Sequence, residues 1–319
     1  MKALSTWTFI LNCLEEEKAV ILLYVVDSLG SSPGRKGFMM AVSTNDMSGS
    51  IGGGIMEHKF VEMAKERLQA LSSKSFIKKQ IHNKSAQTNQ SGMICSGEQT
   101  VLFFNLSENH VEVIEKIIRT LSTNKRGILT ITPNEIGFTN DDLIPQDVVF
   151  SMESESQWEY RERLGIKNIL YVIGGGHCSL ALSQLMRDLD FYIILFEVRE
   201  KLNTLEKNLF VHERKIIKDY SELENLIVAG ENVYVVIMTF GYRTDDVALR
   251  SVIHKNFNYL GVLGSKAKMT KMFDEWKRDG LPEEKLNNVF APIGLSINSR
   301  TPFEIAISIA AEIVKVKNG

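Results

Sequence analysis

Short apolar runs bounded by turn formers alternate along this chain with stretches whose apolar positions recur every three or four residues. The alternation is tightest in the second half. Residues 169–173 are an apolar run, Gly174, Gly175 and Gly176 follow, residues 178–188 carry helical spacing, and a second apolar run ends on Glu197. That pattern predicts strand, tight glycine turn, helix and strand, the first βαβ unit of a dinucleotide-binding fold. Further parallel strands are expected at 215–217, 232–239 and 259–263, with a helix at 244–254. Strands alternating with helices make a doubly wound parallel sheet, so residues 166–319 are expected to form a Rossmann-like α/β domain with its ligand at the carboxyl ends of the strands. Thr301-Pro302-Phe303-Glu304 reads as a capping box with proline at the first helical position, opening a helix to about residue 316.

The first half is patterned less regularly. Leu4, Trp7, Ile10, Leu11 and Leu14 mark an amphipathic helix over 4–17, and 20–26 is a continuous apolar strand running into a loop of turn formers, Asp27 to Arg35. A strand at 38–42 precedes a second glycine-rich turn, Ser48 to Gly54, which leads into a helix over 56–71. Strands at 100–105, 127–132 and 148–151, with a helix at 111–121, complete the sheet of a mixed α/β domain, 1–152. The polar stretch 153–165 is read as the linker.

Composition narrows the partners. A length of 319 residues suits two domains, and a net charge of −2 with mixed signs carries no polybasic footprint, which argues against nucleic acid and anionic membrane. No apolar run reaches the roughly 18 residues that a spanning helix needs, and the N-terminus lacks the pattern of a signal peptide, so a cytoplasmic protein is expected. Cys13, Cys95 and Cys178 form neither a C-x-x-C pair nor a disulfide framework, in keeping with a reducing compartment.

Candidate chemistry gathers at the two glycine turns. In the second half, Gly174 and Gly176 would lie under a pyrophosphate, and Glu197, about 20 residues on, would accept from a ribose hydroxyl. Ser179 stands where a third small residue lets helix and strand pack. Arg199 could pair with a 2′-phosphate instead, and His177 is either a solvated side chain or a group aimed across the crevice. Thr239, Asp245, Gly264, Ser265 and Lys266 are expected to converge on the same crevice, with Lys266 and Lys268 each a solvated charge or a phosphate partner. In the first half, Gly52, Gly53 and Gly54 would form a nest of N–H groups at a helix N-terminus, and Ser31, Ser32 and Arg35 would join it around a phosphate monoester. Close packing of strand and helix is the structural alternative for those glycines. Glu57 either complements the helix dipole or accepts from a ring N–H. Among the thiols, Cys13 belongs to a packed helix face and Cys178 opens a helix, where a thiol gains thiolate character. Cys95, followed by Ser96 and Gly97 at a strand entrance, can present its sulfur to a cleft.

These residues together resemble the xanthine dehydrogenase accessory (XdhC/CoxI) family over nearly the whole chain. GSSPGRKGFMM and GSIGGGIME look like its N-terminal turns, Cys95-Ser96-Gly97 resembles its CGG-like segment, and GGGHCSLAL, GVLGSKAKM and APIGLSINSRTPFEIAISIAAEI are similar to its C-terminal motifs. The resemblance implies an accessory protein, a chaperone more than an oxidoreductase, that binds molybdenum cofactor as molybdopterin or its dinucleotide form. It further implies delivery of the sulfurated cofactor to a xanthine dehydrogenase-type molybdenum hydroxylase, a cysteine desulfurase as a second partner, and a sulfur-handling or metal-proximal role for Cys95. Ile55 stands in place of the cysteine of the family's SGGC turn, Phe240 in place of a histidine after Thr239, and Asn298 in place of a glycine. The residues by themselves leave open an NAD(P)-dependent oxidoreductase built on the βαβ unit, and an interaction module that uses the fold as scaffold. The apolar C-terminal helix would cover its own sheet or a partner's, and a homodimer is expected.

Overall fold

The computed structural model describes residues 2–70, 74–81, 97–140 and 146–319, which divide into two compact units, Met1–Gly165 and Ile166–Gly319. In chain order the first unit holds α1 (Lys2–Glu15), β1 (Val20–Gly30), β2 (Met39–Val42), β3 (Met47–Gly49), α2 (Gly54–Gln69), β4 (Phe76–Ile81), β5 (Gly97–Leu106) and α3 (Val111–Ser122). Four strands follow, β6 (Gly127–Ile131), β7 (Ile136–Thr139), β8 (Val148–Ser154) and β9 (Gln157–Leu164).

The strands do not complete one sheet, as the pattern suggested, but two. One is five-stranded in the order β3-β2-β1-β5-β4 and the other four-stranded in the order β7-β6-β9-β8, with all pairs antiparallel. β1 reads as an unbroken apolar run because both of its faces are buried. Ile21, Leu23 and Val25 pack with Phe60, Val61 and Ala64 of α2, while Leu22, Tyr24 and Val26 share a core with Trp7 and Ile10 of α1 and with Leu129 and Tyr160 of the second sheet.

The stretch 153–165 is not a linker. It carries the end of β8 and all of β9, and the first unit ends at Gly165. Its buried positions, Trp158, Tyr160, Glu162 and Leu164, keep period two, but a charged residue among them disguises the alternation. Glu162 is tolerated there because Tyr24 and Tyr160 donate their hydroxyls to one carboxylate oxygen at 2.6 and 2.8 Å. Burial, with that carboxylate adding to it, pushes both phenol pKa values up.

The second unit runs β10 (Asn168–Ile173), α4 (His177–Asp188), β11 (Phe191–Glu197), α5 (Asn203–Lys207), β12 (Glu213–Ile216), α6 (Leu223–Leu226), β13 (Gly230–Ile237), α7 (Tyr242–Val252) and β14 (Phe257–Val262). It closes with α8 (Lys266–Arg278), α9 (Glu283–Asn287) and α10 (Pro302–Asn318). All strand pairs are parallel, in the order β12-β11-β10-β13-β14, so the chain reverses its direction of winding between β10 and β13. Two apolar layers flank the sheet, one holding Leu249 of α7 and Trp276 of α8, the other Leu182 of α4 and Ile309 and Ile313 of α10. α10 therefore covers its own sheet. Its start is the expected capping box, with Thr301 Oγ1 accepting from the Glu304 N–H at 3.2 Å and Glu304 accepting from the Thr301 N–H at 3.0 Å.

Candidate functional site

The reversal point makes a crevice at the carboxyl ends of β10 and β13. Gly174 is required by geometry: its φ is +106°, and a Cβ there would lie 2.4 Å from the Met238 carbonyl oxygen, so the turn is pressed against the end of β13. Its N–H donates to the Phe196 carbonyl at 2.8 Å, which ties in the tip of β11. Gly175 is held from both sides, its N–H donating to Glu197 at 2.7 Å and its carbonyl accepting from Thr204. Gly176 differs, since a Cβ there would meet nothing within 4 Å. This glycine opens α4, whose first N–H groups have no acceptor within the helix, and His177 beside it is exposed. Ser179 sits fully buried at the position of the missing third glycine, tolerated for its size, its hydroxyl without a hydrogen-bond partner.

Glu197 is where motif and structure part. A ribose acceptor needs a free lone pair, and this carboxylate, with no exposed surface, takes six donors from its own chain. Oε1 accepts from the Val198 N–H at 2.9 Å, the Arg199 N–H at 3.2 Å, Arg199 Nε at 3.0 Å and the Tyr220 hydroxyl at 3.2 Å. Oε2 accepts from the Gly175 N–H and from Arg199 Nη2, both at 2.7 Å. Two oxygens offer about four lone-pair sites, so the group is saturated. Burial alone would raise its pKa, but the Arg199 guanidinium and the N–H groups of Gly175 and Arg199 outweigh that and hold it below the usual carboxylate value. Tyr220 and Thr204, which complete this anchoring, carry no sequence signal, because their partners lie 23 and 29 residues away.

Across the crevice, Thr239 and Asp245 do meet. Asp245, buried at the start of α7, accepts from the Thr239 N–H at 3.0 Å and from its hydroxyl at 2.6 Å. Its other oxygen pairs with the ammonium of Lys268, which also donates to the Leu263 carbonyl at 3.1 Å. The lysine tied into this network is thus Lys268, whereas Lys266 at the first position of α8 is exposed. Ser265 caps α8, its hydroxyl accepting from the Lys268 N–H at 3.2 Å, and Gly264 leaves room for the Met269 and Lys268 side chains, the nearest 2.5 Å from where a Cβ would stand.

In the first unit the second glycine turn is built as expected and already filled. Gly52, Gly53 and Gly54 have φ of +124°, +76° and +74°, the Gly52 N–H donating to Ser50 Oγ at 3.1 Å and the N–H groups on either side of it to Glu57. One oxygen of that carboxylate accepts from Ser50 Oγ at 2.7 Å, the Ile51 N–H at 2.8 Å and the Gly53 N–H at 3.0 Å. Gly52 also packs closely, though on the Pro33-Gly34 loop backbone and not on a strand, a Cβ there falling 2.5 Å from the Gly34 nitrogen. Ser32 is buried, its hydroxyl donating at 2.9 Å to Gln99, whose same oxygen takes the Gly34 N–H at 3.2 Å. Ser31 is exposed, and Arg35 turns back to the Gly30 carbonyl at 2.9 Å. Gly97 backs onto the same loop, 2.6 Å separating its would-be Cβ from the Ser32 nitrogen. Gln99, the hub of this contact, lies inside an apolar strand and gave no sign of it in the sequence.

Cys95 lies outside the described residues. Cys13 packs in the core as expected. Cys178 does not gain thiolate character, because burial raises its pKa and it packs against an apolar cluster. Ile55 and Phe240 are both exposed, and Asn298 adopts a φ of +57°, the left-handed conformation that suits the glycine it replaces. Among the described residues no group of three or more His, Cys, Asp or Glu side chains could hold a metal, and no helix is long and apolar enough to cross a membrane.

A profile of the XdhC and CoxI family matches residues 13–77, and one of the XdhC Rossmann domain matches residues 170–313. The uncharacterized protein YqeB of Escherichia coli (strain K12) is 27% identical over 310 residues, 96% of this chain and 45% of that protein. A protein of Bacillus subtilis (strain 168) described as a probable xanthine dehydrogenase subunit is 27% identical over 157 residues, 49% of this chain and 45% of that one. The chain thus spans less than half the length of either relative. A xanthine dehydrogenase crystal structure from Bacillus halodurans shares the fold, with a TM-score of 0.72 at 20% identity over 98% of this chain and 96% of that one. With one profile matching in each unit, the chain belongs to the XdhC and CoxI family.

Proposed function

We propose that this protein is an accessory factor that binds molybdenum cofactor and hands it, in sulfurated form, to a xanthine dehydrogenase-type molybdenum hydroxylase. One observation carries the reading: in the second unit's crevice Glu197 and Asp245 are already neutralised, by Arg199 and by Lys268, so an entering phosphate meets N–H donors without opposition from either carboxylate. A phosphate-bearing pterin fits that donor set. Gly176 and the first turn of α4 would hold the phosphate, with Thr239 and His177 at the rim, and the cofactor when bound would supply the metal and its sulfur. In the first unit Glu57 occupies the N–H nest, so a phosphate would enter there only by displacing it. The names of the relatives, which speak of xanthine dehydrogenase, support the choice of partner. A homodimer, a cysteine desulfurase as sulfur source and a cytoplasmic location belong to the same proposal.

The strand order favours an NAD(P)-dependent oxidoreductase as the second reading, but saturation of Glu197 removes the acceptor on which ribose recognition would rest. Titration of the purified chain with molybdenum cofactor and with NAD(H) separates the two. Tighter binding of the cofactor than of NAD(H) is expected, and the reverse order would install the oxidoreductase. Within the accessory reading, Cys95→Ala should fail to yield active hydroxylase in a reconstitution assay while Cys178→Ala remains near normal. The opposite result would move the thiol chemistry to α4.

A further inference from the structure

β10 stands between β11 and β13, so residues that follow β11 and β13 can meet only across the carboxyl end of β10 and its glycine turn. Two do. The Arg199 guanidinium lies over the Phe240 ring at 4.5 Å from the centroid. Arg199 follows β11 by two residues and Phe240 follows β13 by three, so neither strand has room to carry the pair elsewhere. Glu197 grips the guanidinium by its edge, through Nε and Nη2, which fixes its plane and leaves its faces clear of hydrogen bonds. Phe240 is 59% exposed, so much of its ring is open to solvent beside the guanidinium. A planar cation and an aromatic ring are the two surfaces on which heterocycles stack.

We propose that Arg199 and Phe240 are the two plates of a ring-binding site: a planar heterocycle carrying a phosphate parts their contact and lies between them, its phosphate at the glycine turn. This rests on the reading that the crevice binds a phosphate-bearing cofactor, and it adds which part of the ligand is recognised. The ring and the phosphate are read, and a ribose diol is not, since Glu197 has no lone pair to offer.

Isothermal titration of the full chain with ADP, 2′-deoxy-ADP and pyrophosphate tests this. ADP and its 2′-deoxy form should bind within about twofold of each other, and both tighter than pyrophosphate. Phe240→Ala should weaken the two nucleotides by about tenfold and leave pyrophosphate unchanged, the size expected for loss of one stacking surface. Phe240→Trp should restore binding. Arg199→Met should weaken the nucleotides likewise, with its melting curve checked because it strips Glu197 of its partner. Unchanged nucleotide affinity in Phe240→Ala, a tenfold loss on removing the 2′-hydroxyl, or ADP binding no tighter than pyrophosphate, undetectable binding included, would each overturn the proposal. A parallel titration with molybdenum cofactor keeps the two ideas apart. If the cofactor binds while the nucleotide results go the wrong way, the ring site falls and the accessory function stands, and if neither binds both fall.

Discussion

A carboxylate without exposed surface stays ionised only while its donors stay in place, and Glu197 depends on six of them. Its folded pKa lies below the ordinary 4.5, burial raising it and Arg199 and the turn N–H groups more than offsetting that. The sign follows from linkage: a folded value below the unfolded one means that the stabilisation is complete above the unfolded pKa, and is lost as pH falls from about 4.5 through the folded pKa. Glu197→Gln should therefore cost about 3 kcal/mol near neutrality, as for one half of a buried pair, and the gap between wild-type and variant urea midpoints should narrow below about pH 4.5. A constant gap down to pH 3 would deny the carboxylate its anchoring role. The neighbouring glycines separate backbone from ligand effects. Gly174→Ala, at φ +106° with a carbonyl oxygen 2.4 Å from the new Cβ, should lose about 2 kcal/mol or more, whereas Gly176→Ala should stay within about 0.5 kcal/mol. Gly176→Val should then lower cofactor affinity in a chain that melts normally, and unaltered affinity would make the turn mere scaffold.

At the level of elements, the two glycine turns look alike and differ in what their helices bring. α4 starts with His177, Cys178 and Ser179, none of which closes on the N–H groups, while α2 carries Glu57 one turn in, and that side chain folds back as the anion. Glu57→Ala should cost about 1 kcal/mol, typical of a lost cap, and should open the nest. Inorganic phosphate would then raise the melting temperature of the variant by more than that of the wild type, whose open phosphate turn is the one at Gly176. Equal responses would show that the first unit's nest takes no phosphate with or without its carboxylate. The same contrast explains the limits of motif reading: a run such as Gly52-Gly53-Gly54 announces positive φ and clustered N–H groups, but which acceptor turns toward them is settled by a rotamer four residues away.

On the scale of the whole molecule, two units with separate cores meet in sequence at Gly165 and Ile166. Chains spanning 1–165 and 166–319 should each unfold cooperatively in urea, and a non-cooperative transition in either would show that its core is incomplete alone. The sequence by itself determined the architecture of the second unit, down to the capping box at Thr301, because parallel strands buried on both faces and amphipathic helices write their periods plainly. It also determined where glycine was obligatory, as at Gly174, since φ is a local property. The first unit was less legible. β9 hid behind the buried Glu162, which accepts from two tyrosine hydroxyls, one of them 138 residues away in the chain. Tertiary structure alone decided which polar groups remained for a ligand. Glu197 and Glu57 both sit where a motif expects recognition, and both are consumed by N–H groups that folding places within 3.2 Å. Lys268, next but one to the exposed Lys266, is likewise chosen by its contact with Asp245. The physical reason is common to all three: the residue types that could bind an anion or a hydroxyl are local facts, whereas the saturation of their lone pairs and donors depends on neighbours that only the folded chain brings within hydrogen-bond reach.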